Sequence, residues 1–248
     1  MNNVFSFLGS DHKCGTSMIA QSVAEAVAIK KPTSRILLIH TEKDESGIFT
    51  PNVSESLETI HPYLAERLID MAEIADKSRY KDNLYVIGGS CNPSTSAGFM
   101  PEMSEYLLCA SSAIFDIIIC DTGCDIENGM CIGALFSSNE IYLVCSPSEA
   151  AVRRQESKMS LYKKINLPLR GIVLNKYSRS SINSSKMICE RLGFKENELF
   201  IVSQSANGDK AEQEERSIYS MRDIKFKREI DKIADDLIQR AGIGQLQF

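Results

Sequence analysis

Apolar positions along this chain fall into two alternating kinds of segment. Short, nearly continuous apolar runs begin at Val4 and recur at Arg35–His40, Leu84–Ile87, Phe115–Asp121, Glu140–Ser146, Leu169–Asn175 and Phe200–Val202. Runs of this length, rich in Ile, Leu and Val, predict strands buried on both faces. Between them the apolar residues return every three or four positions. Ile19, Val23, Ala26 and Val27 mark a helix that opens at Gly15-Thr16-Ser17. Leu57, Ile60, Leu64, Leu68, Met71 and Ile74 predict a mostly helical stretch from Ser54 to Lys77, with Pro62 at a start or a break. Further helices are predicted over Pro101–Ser111, Ser148–Ile165, Ser180–Leu192 and Met221–Ala241, proline suiting the first turn of the first of these. Thr41–Asn52, Ser90–Met100 and Ser203–Glu215 read as polar loops. Strands alternating with helices at this period predict an α/β fold, a doubly wound and mostly parallel sheet with helices on both faces. No repeat or linker interrupts the pattern, so residues 1–248 are read as one domain.

Composition narrows this only slightly. The formal charge of −5 argues against a general affinity for nucleic acid or anionic membrane. No apolar run approaches the roughly 20 residues that span a bilayer. The chain enters its first strand without the features of a signal peptide, so a cytoplasmic setting is expected, with the eight cysteines reduced.

The chemistry gathers at the predicted strand ends, where open α/β sheets collect ligands. The first strand feeds the first helix through a short loop, which leaves unpaired helical N–H groups and the positive end of the helix dipole facing outward. That is an anion site, most often for phosphate. Gly9, Ser10, Asp11, His12, Lys13, Cys14, Gly15, Thr16 and Ser17 make up the loop. Its spacing is that of the phosphate-binding motif G-x-x-x-x-G-K-[ST], with Cys14 at the second glycine, Gly15 at the lysine and Thr16 at the hydroxyl. Asp121, closing a hydrophobic strand, reads as the Mg²⁺-side acid beside such a loop. His40-Thr41-Glu42 and Asn175-Lys176 end two other strands.

The order of these segments resembles the MinD/ParA branch of the phosphate-loop NTPases, and within it the divergent TadZ/CpaE-like proteins of pilus assembly. Their loop has the form K-G-G-x-G-K-T-T, or K-G-G-x-G-T-S-T in divergent members. The ungapped match sets Gly15-Thr16-Ser17 on G-T-S. Asp11 then stands at the signature lysine, His12 and Lys13 at the two glycines, Thr16 at the phosphate-binding lysine and Ser17 at the Mg²⁺-binding hydroxyl. RILLIHTE resembles the strand ending in D-x-D, so that His40 replaces the water-positioning acid and Glu42 the second acid. FDIIICDTG is similar to the F-D-hhhh-D-T-P segment, which implies the Mg²⁺-side role for Asp121. IYLVCSPSEAAVRR is similar to the next strand and helix. GIVLNK resembles the strand whose terminal asparagine, here Asn175, reads adenine. The resemblance implies ATP and Mg²⁺ as cofactors, protein partners in assembly or positioning machinery, and dimerisation across the nucleotide face as the family habit. The lysine that reaches across that face is missing, which leaves a constitutive dimer and a monomer both open.

Losing both lysines and the acid at His40 removes the positive charge and positioning on which phosphoryl transfer depends. The expectation is therefore a localisation or scaffold factor, for pilus or secretion machinery, that binds ATP weakly or not at all. One alternative is a slow ATP-hydrolysing dimerisation switch. The other is a metal- or cofactor-handling maturation factor, suggested by His12, His40, Cys14, Asp121 and the cluster Cys120, Cys124 and Cys131, although cysteine as a small buried hydrophobe is the simpler reading. Arg153, Arg154, Lys158, Lys163 and Lys164 make one helix basic, read as a solvated face rather than a DNA site. The terminal helix mixes both charge signs and lacks a basic-aromatic membrane anchor.

Overall fold

The computed structural model describes residues 3–42, 49–51, 53–90, 92, 95, 97–124, 126 and 128–242. Much of the loop predicted over 41–52, and part of that over 90–100, lies outside the described residues. The strands are β1 (Val4–Gly9), β2 (Ile36–His40), β3 (Arg79–Lys81), β4 (Leu84–Ile87), β5 (Ile117–Asp121), β6 (Glu140–Cys145), β7 (Leu169–Tyr177) and β8 (Leu199–Ser203). The α-helices are α1 (Thr16–Lys30), α2 (Leu57–Ala65), α3 (Met71–Ser78), α4 (Pro101–Ser111), α5 (Gly129–Ser137), α6 (Glu149–Lys164), α7 (Ser185–Leu192), α8 (Gly208–Gln213) and α9 (Ile224–Arg240). Single 3-10 turns lie at Glu196–Glu198 and Ile218–Ser220.

All eight strands join one sheet in the order β3-β4-β2-β5-β1-β6-β7-β8. Every pairing is parallel except that of the short edge strand β3 with β4. The sequence shows why the sheet is covered on both sides. Successive residues of a strand point to opposite faces, and here both sets are apolar. Phe5, Phe7, Ile36, Leu38, Tyr142 and Val144 enter one core with α1 and α9. Their neighbours Val4, Leu37, Ile39 and Ile118 pack on the other face against α2, α3 and α4, and Leu8, Ile141, Leu143 and Ile172 against α6 and α7.

Four local readings change. The stretch 54–77 is two helices, because Arg67 adopts a left-handed φ of 54° and Asp70 caps a new helix through Ala72 N and Glu73 N. Leu68 therefore leaves the helical stripe and is 72% exposed. Pro62 lies inside α2 rather than at its start, and the helix ends three residues later. Helix α5 lies in a stretch with two glycines that no periodicity flagged. A Cβ at Gly133 would come 2.6 Å from Ser104 Cβ, so glycine permits the close approach of α5 to α4. The loop predicted over 203–215 contains α8.

The β1–α1 loop is placed by this topology. β1 is central, flanked by β5 and β6, and the loop leaves it at the carboxyl edge of the sheet, where strand order changes direction.

Candidate functional site

The loop closes on both neighbouring strands. Gly9 N donates to Gly123 O at 2.5 Å and Ser10 N to Val144 O at 2.8 Å. Glycine is required at position 9, where a Cβ would meet the Thr16 hydroxyl, with Cys14 Sγ and Gly123 O at 3.0 Å. Gly15 ends the loop in the left-handed region, φ 88°, and caps α1 without a side-chain hydrogen bond. The first amides of α1 thus have neither an intrahelical partner nor a capping oxygen. Gly15, Thr16 and Ser17 line a cleft of about 640 Å³ that runs along the carboxyl edge of the sheet. Its apolar lining comes from Met18, Phe49, Ile218 and Phe226.

Several loop side chains are held by contacts within the protein. Asp11 forms an ion pair with Arg154 of α6, and its Oδ1 accepts from His12 N at 2.8 Å. Thr16 is buried, its hydroxyl 3.2 Å from Cys14 Sγ. It therefore turns back into the loop, away from where a lysine at that position would reach. Ser17 faces the cleft. His12 and Lys13 are exposed on the cleft rim, and the His12 ring reaches Cys124 Sγ, with Nδ1 at 3.4 Å.

Asp121 is fully buried. Its Oδ2 lies 3.0 Å from His40 Nδ1, and its Oδ1 accepts from Gly123 N at 3.2 Å. Both carboxylate oxygens are engaged inside the protein, and His40 is itself only 1% exposed. Neither side chain lines the cleft. Glu42 does: its Oε1 accepts from Cys124 N at 3.1 Å, and its carboxyl fills the space over Gly123 that a Cβ would occupy. Asn175 is buried at the other side of the loop and donates from Nδ2 to Cys14 O at 2.9 Å. It also lines the cleft.

Two lysines reach the loop from a distance in sequence. Lys176 Nζ donates to Lys13 O at 2.8 Å and lines the cleft. Lys158 Nζ donates to Ser10 O and to Cys124 O, each at 3.4 Å. Arg154 and Lys158, four residues apart and so on one face of α6, bind the loop; the basic helix is not wholly a solvated face. That spacing was the available signal. Nothing local marked Ile218 or Phe226 as cleft residues.

Of the candidate residues, Asp11, His12, Lys13, Gly15, Thr16, Ser17 and Asn175 line the cleft, whereas Gly9, Ser10, Cys14 and Asp121 do not. The cleft is lined by Asp11, Glu42, Asp209 and Glu212 against Lys13 and Lys176. A magnesium ion fits poorly. Ser17 presents a hydroxyl, whereas the Asp121 carboxylate is committed to His40 and Gly123 N. A nucleotide fits in part, through the free α1 amides, Lys176 and the apolar lining. Burial pushes the Cys120 and Cys124 thiols up to about 12. Among the described residues, no group of three or more His, Cys, Asp or Glu is arranged to hold a metal ion, and no helix is long and apolar enough to cross a membrane.

No family model matches the chain, and no curated protein matches it in sequence. Solved structures do. A ParA family ATPase from Chlorobium tepidum TLS superimposes with a TM-score of 0.81 at 21% identity, covering 94% of this chain and 97% of that one. The septum site-determining protein MinD complexed with Mg-ADP from Pyrococcus horikoshii OT3 gives 0.79 at 16% identity, covering 99% and 100%. A chain of the MinC:MinD cell division protein complex from Aquifex aeolicus gives 0.72 at 16% identity, covering 96% of each. With the parallel sheet order and the central β1–α1 loop, these likenesses establish that the chain has the fold of the ParA- and MinD-type ATPases.

Proposed function

We propose that this chain is a positioning or scaffold protein on the MinD/ParA fold, which binds ATP weakly or not at all and does not turn it over. The observation that carries this is the buried Asp121–His40 pair. Catalysis of phosphoryl transfer needs charge and a water-orienting group in contact with the substrate, and this pair presents neither to the cleft. Asp11, tied to Arg154, and Thr16, turned toward Cys14, support the same reading at the two lysine positions.

As a scaffold the chain acts through protein partners, as MinD does with MinC in the Aquifex complex, and a second copy of the chain is one such partner. The likeness of GSDHKCGTS to the divergent TadZ/CpaE loop is what favours a pilus or secretion machine in the cytoplasm as its setting. The slow-switch reading keeps one observation in its favour: Gly15, Ser17, Asn175 and Lys176 still line an open cleft.

Phosphate release from ATP and Mg²⁺, measured with calorimetric titration on the full chain, separates the two. The scaffold reading expects release no faster than in the absence of protein. Turnover that Asp121→Ala abolishes would overturn it.

A further inference from the structure

Acidic side chains line the cleft at both ends, Asp209 and Glu212 beside β8 and Asp11 and Glu42 toward β5. Strand order sets Glu42, Gly123 and Cys124 on the β2/β5 side of the loop, and Asn175, Lys176 and the β8–α8 segment on the other. On the β7/β8 side lie the apolar walls of Ile218 and Phe226 and the Lys176 ammonium. The amides of Gly15, Thr16 and Ser17 come next, at the mouth of α1. Beyond them, toward β5, stand Glu42 and Asp11, with the His12 ring beside Cys124.

At that acidic end a backbone donor is already taken. Cys124 N points at Glu42 Oε1, 3.1 Å away, and the Glu42 carboxyl lies directly on Gly123. An anionic oxygen arriving there would have to displace a carboxylate of its own sign from the Cys124 amide. Asp11 adds a second negative group, balanced by Arg154 on its outer side.

We infer that the cleft selects nucleotides carrying at most two phosphates, and that the Glu42 carboxylate is the group that turns a third away. The apolar β8 side takes the base, and the α1 amides with Lys176 take the first phosphates. Glu42 acts in place of the outermost phosphate, as a resident anion on the Cys124 amide. The inference rests on the reading that the cleft holds a nucleotide at all, however weakly.

The test is calorimetric titration of the full chain with AMP, ADP and ATP, each with Mg²⁺, repeated on Glu42→Gln. Glutamine keeps an oxygen for Cys124 N while removing the charge, so the loop contact survives; matching melting curves for parent and variant check this. AMP or ADP is expected to bind more tightly than ATP. Glu42→Gln is expected to raise ATP affinity by about tenfold while moving ADP little, since one like-charge contact at short range is removed. ATP binding as tightly as ADP in the parent, or a Glu42→Gln variant that leaves the ADP-to-ATP ratio unchanged, would overturn the inference. No binding of any nucleotide at millimolar concentration overturns it too, yet leaves the scaffold reading standing. Rapid release of phosphate from ATP overturns both.

Discussion

Replacing Gly15 with alanine probes the residue that joins the β1–α1 loop to the helix. Gly15 holds φ 88°, a left-handed conformation that costs an L residue roughly 1–2 kcal/mol. The new methyl also strikes the Asn175 amide, and Lys176 Cε stands 3.7 Å from it. If Asn175 moves aside, the buried Cys14 carbonyl loses its 2.9 Å hydrogen bond, a loss of about 1–3 kcal/mol when a buried group is left unpaired. Gly15→Ala should therefore destabilise the protein by about 2–5 kcal/mol, a large share of the 5–15 kcal/mol typical of a domain. Urea unfolding followed by far-UV circular dichroism measures this. The Asn175→Ala background separates the two causes. There the amide that the methyl strikes is gone, and Gly15→Ala should cost only the backbone part, about 1–2 kcal/mol. The two substitutions are then strongly non-additive. Costs that simply add within about 0.5 kcal/mol would refute the packing argument.

Two further predictions concern the surroundings of the cleft. Burial holds the Glu25 carboxyl above its ordinary value of 4.5, against hydrogen bonds from Ser217 and Gln21 that lower it. A raised folded value means the carboxyl supports the fold below pH 4.5 and loses that contribution as pH climbs through its folded value. Glu25→Gln should thus gain stability relative to the parent between pH 4.5 and neutrality, and urea midpoints that show a flat or falling difference contradict this. Lys158→Met keeps the aliphatic stem but removes the bonds to Ser10 O and Cys124 O. It should cost about 1 kcal/mol and speed amide exchange at 10–14 and 122–124, read by mass spectrometry; unchanged exchange there would show that α6 does not hold the loop.

Much of the fold is legible in the sequence. The runs from Val4, Ile36 and Ile117 are apolar on both alternating sets of positions, which requires a sheet covered on both faces, and all three are central strands. The failures share a cause. Leu68 satisfies the helical period, but the left-handed Arg67 breaks the helix before it. Helix α5 has no strong period because it packs through Gly133 against α4, and a glycine carries no hydrophobic signal. The candidate site was legible as a list: Gly9 to Ser17, Asp121 and Asn175 lie at one edge of the sheet, although Gly9, Ser10, Cys14 and Asp121 do not line the cleft. Which way their side chains turn was not.

By itself the sequence determined the strand–loop–helix opening, the α/β alternation and the placing of Asp11, Thr16, His40 and Asp121 at strand ends. Those are local properties, set by residue type and spacing. Only the tertiary structure decided what those side chains touch. His40 meets Asp121 across 81 residues of chain, Lys158 reaches Ser10 across 148, and Lys176 reaches Lys13 across 163. Hydrogen-bond direction at such pairs depends on strand order and on the packing of α6. A carboxylate buried on histidine and one lining a cleft are written alike in the sequence. They differ in which partners the fold brings within about 3 Å.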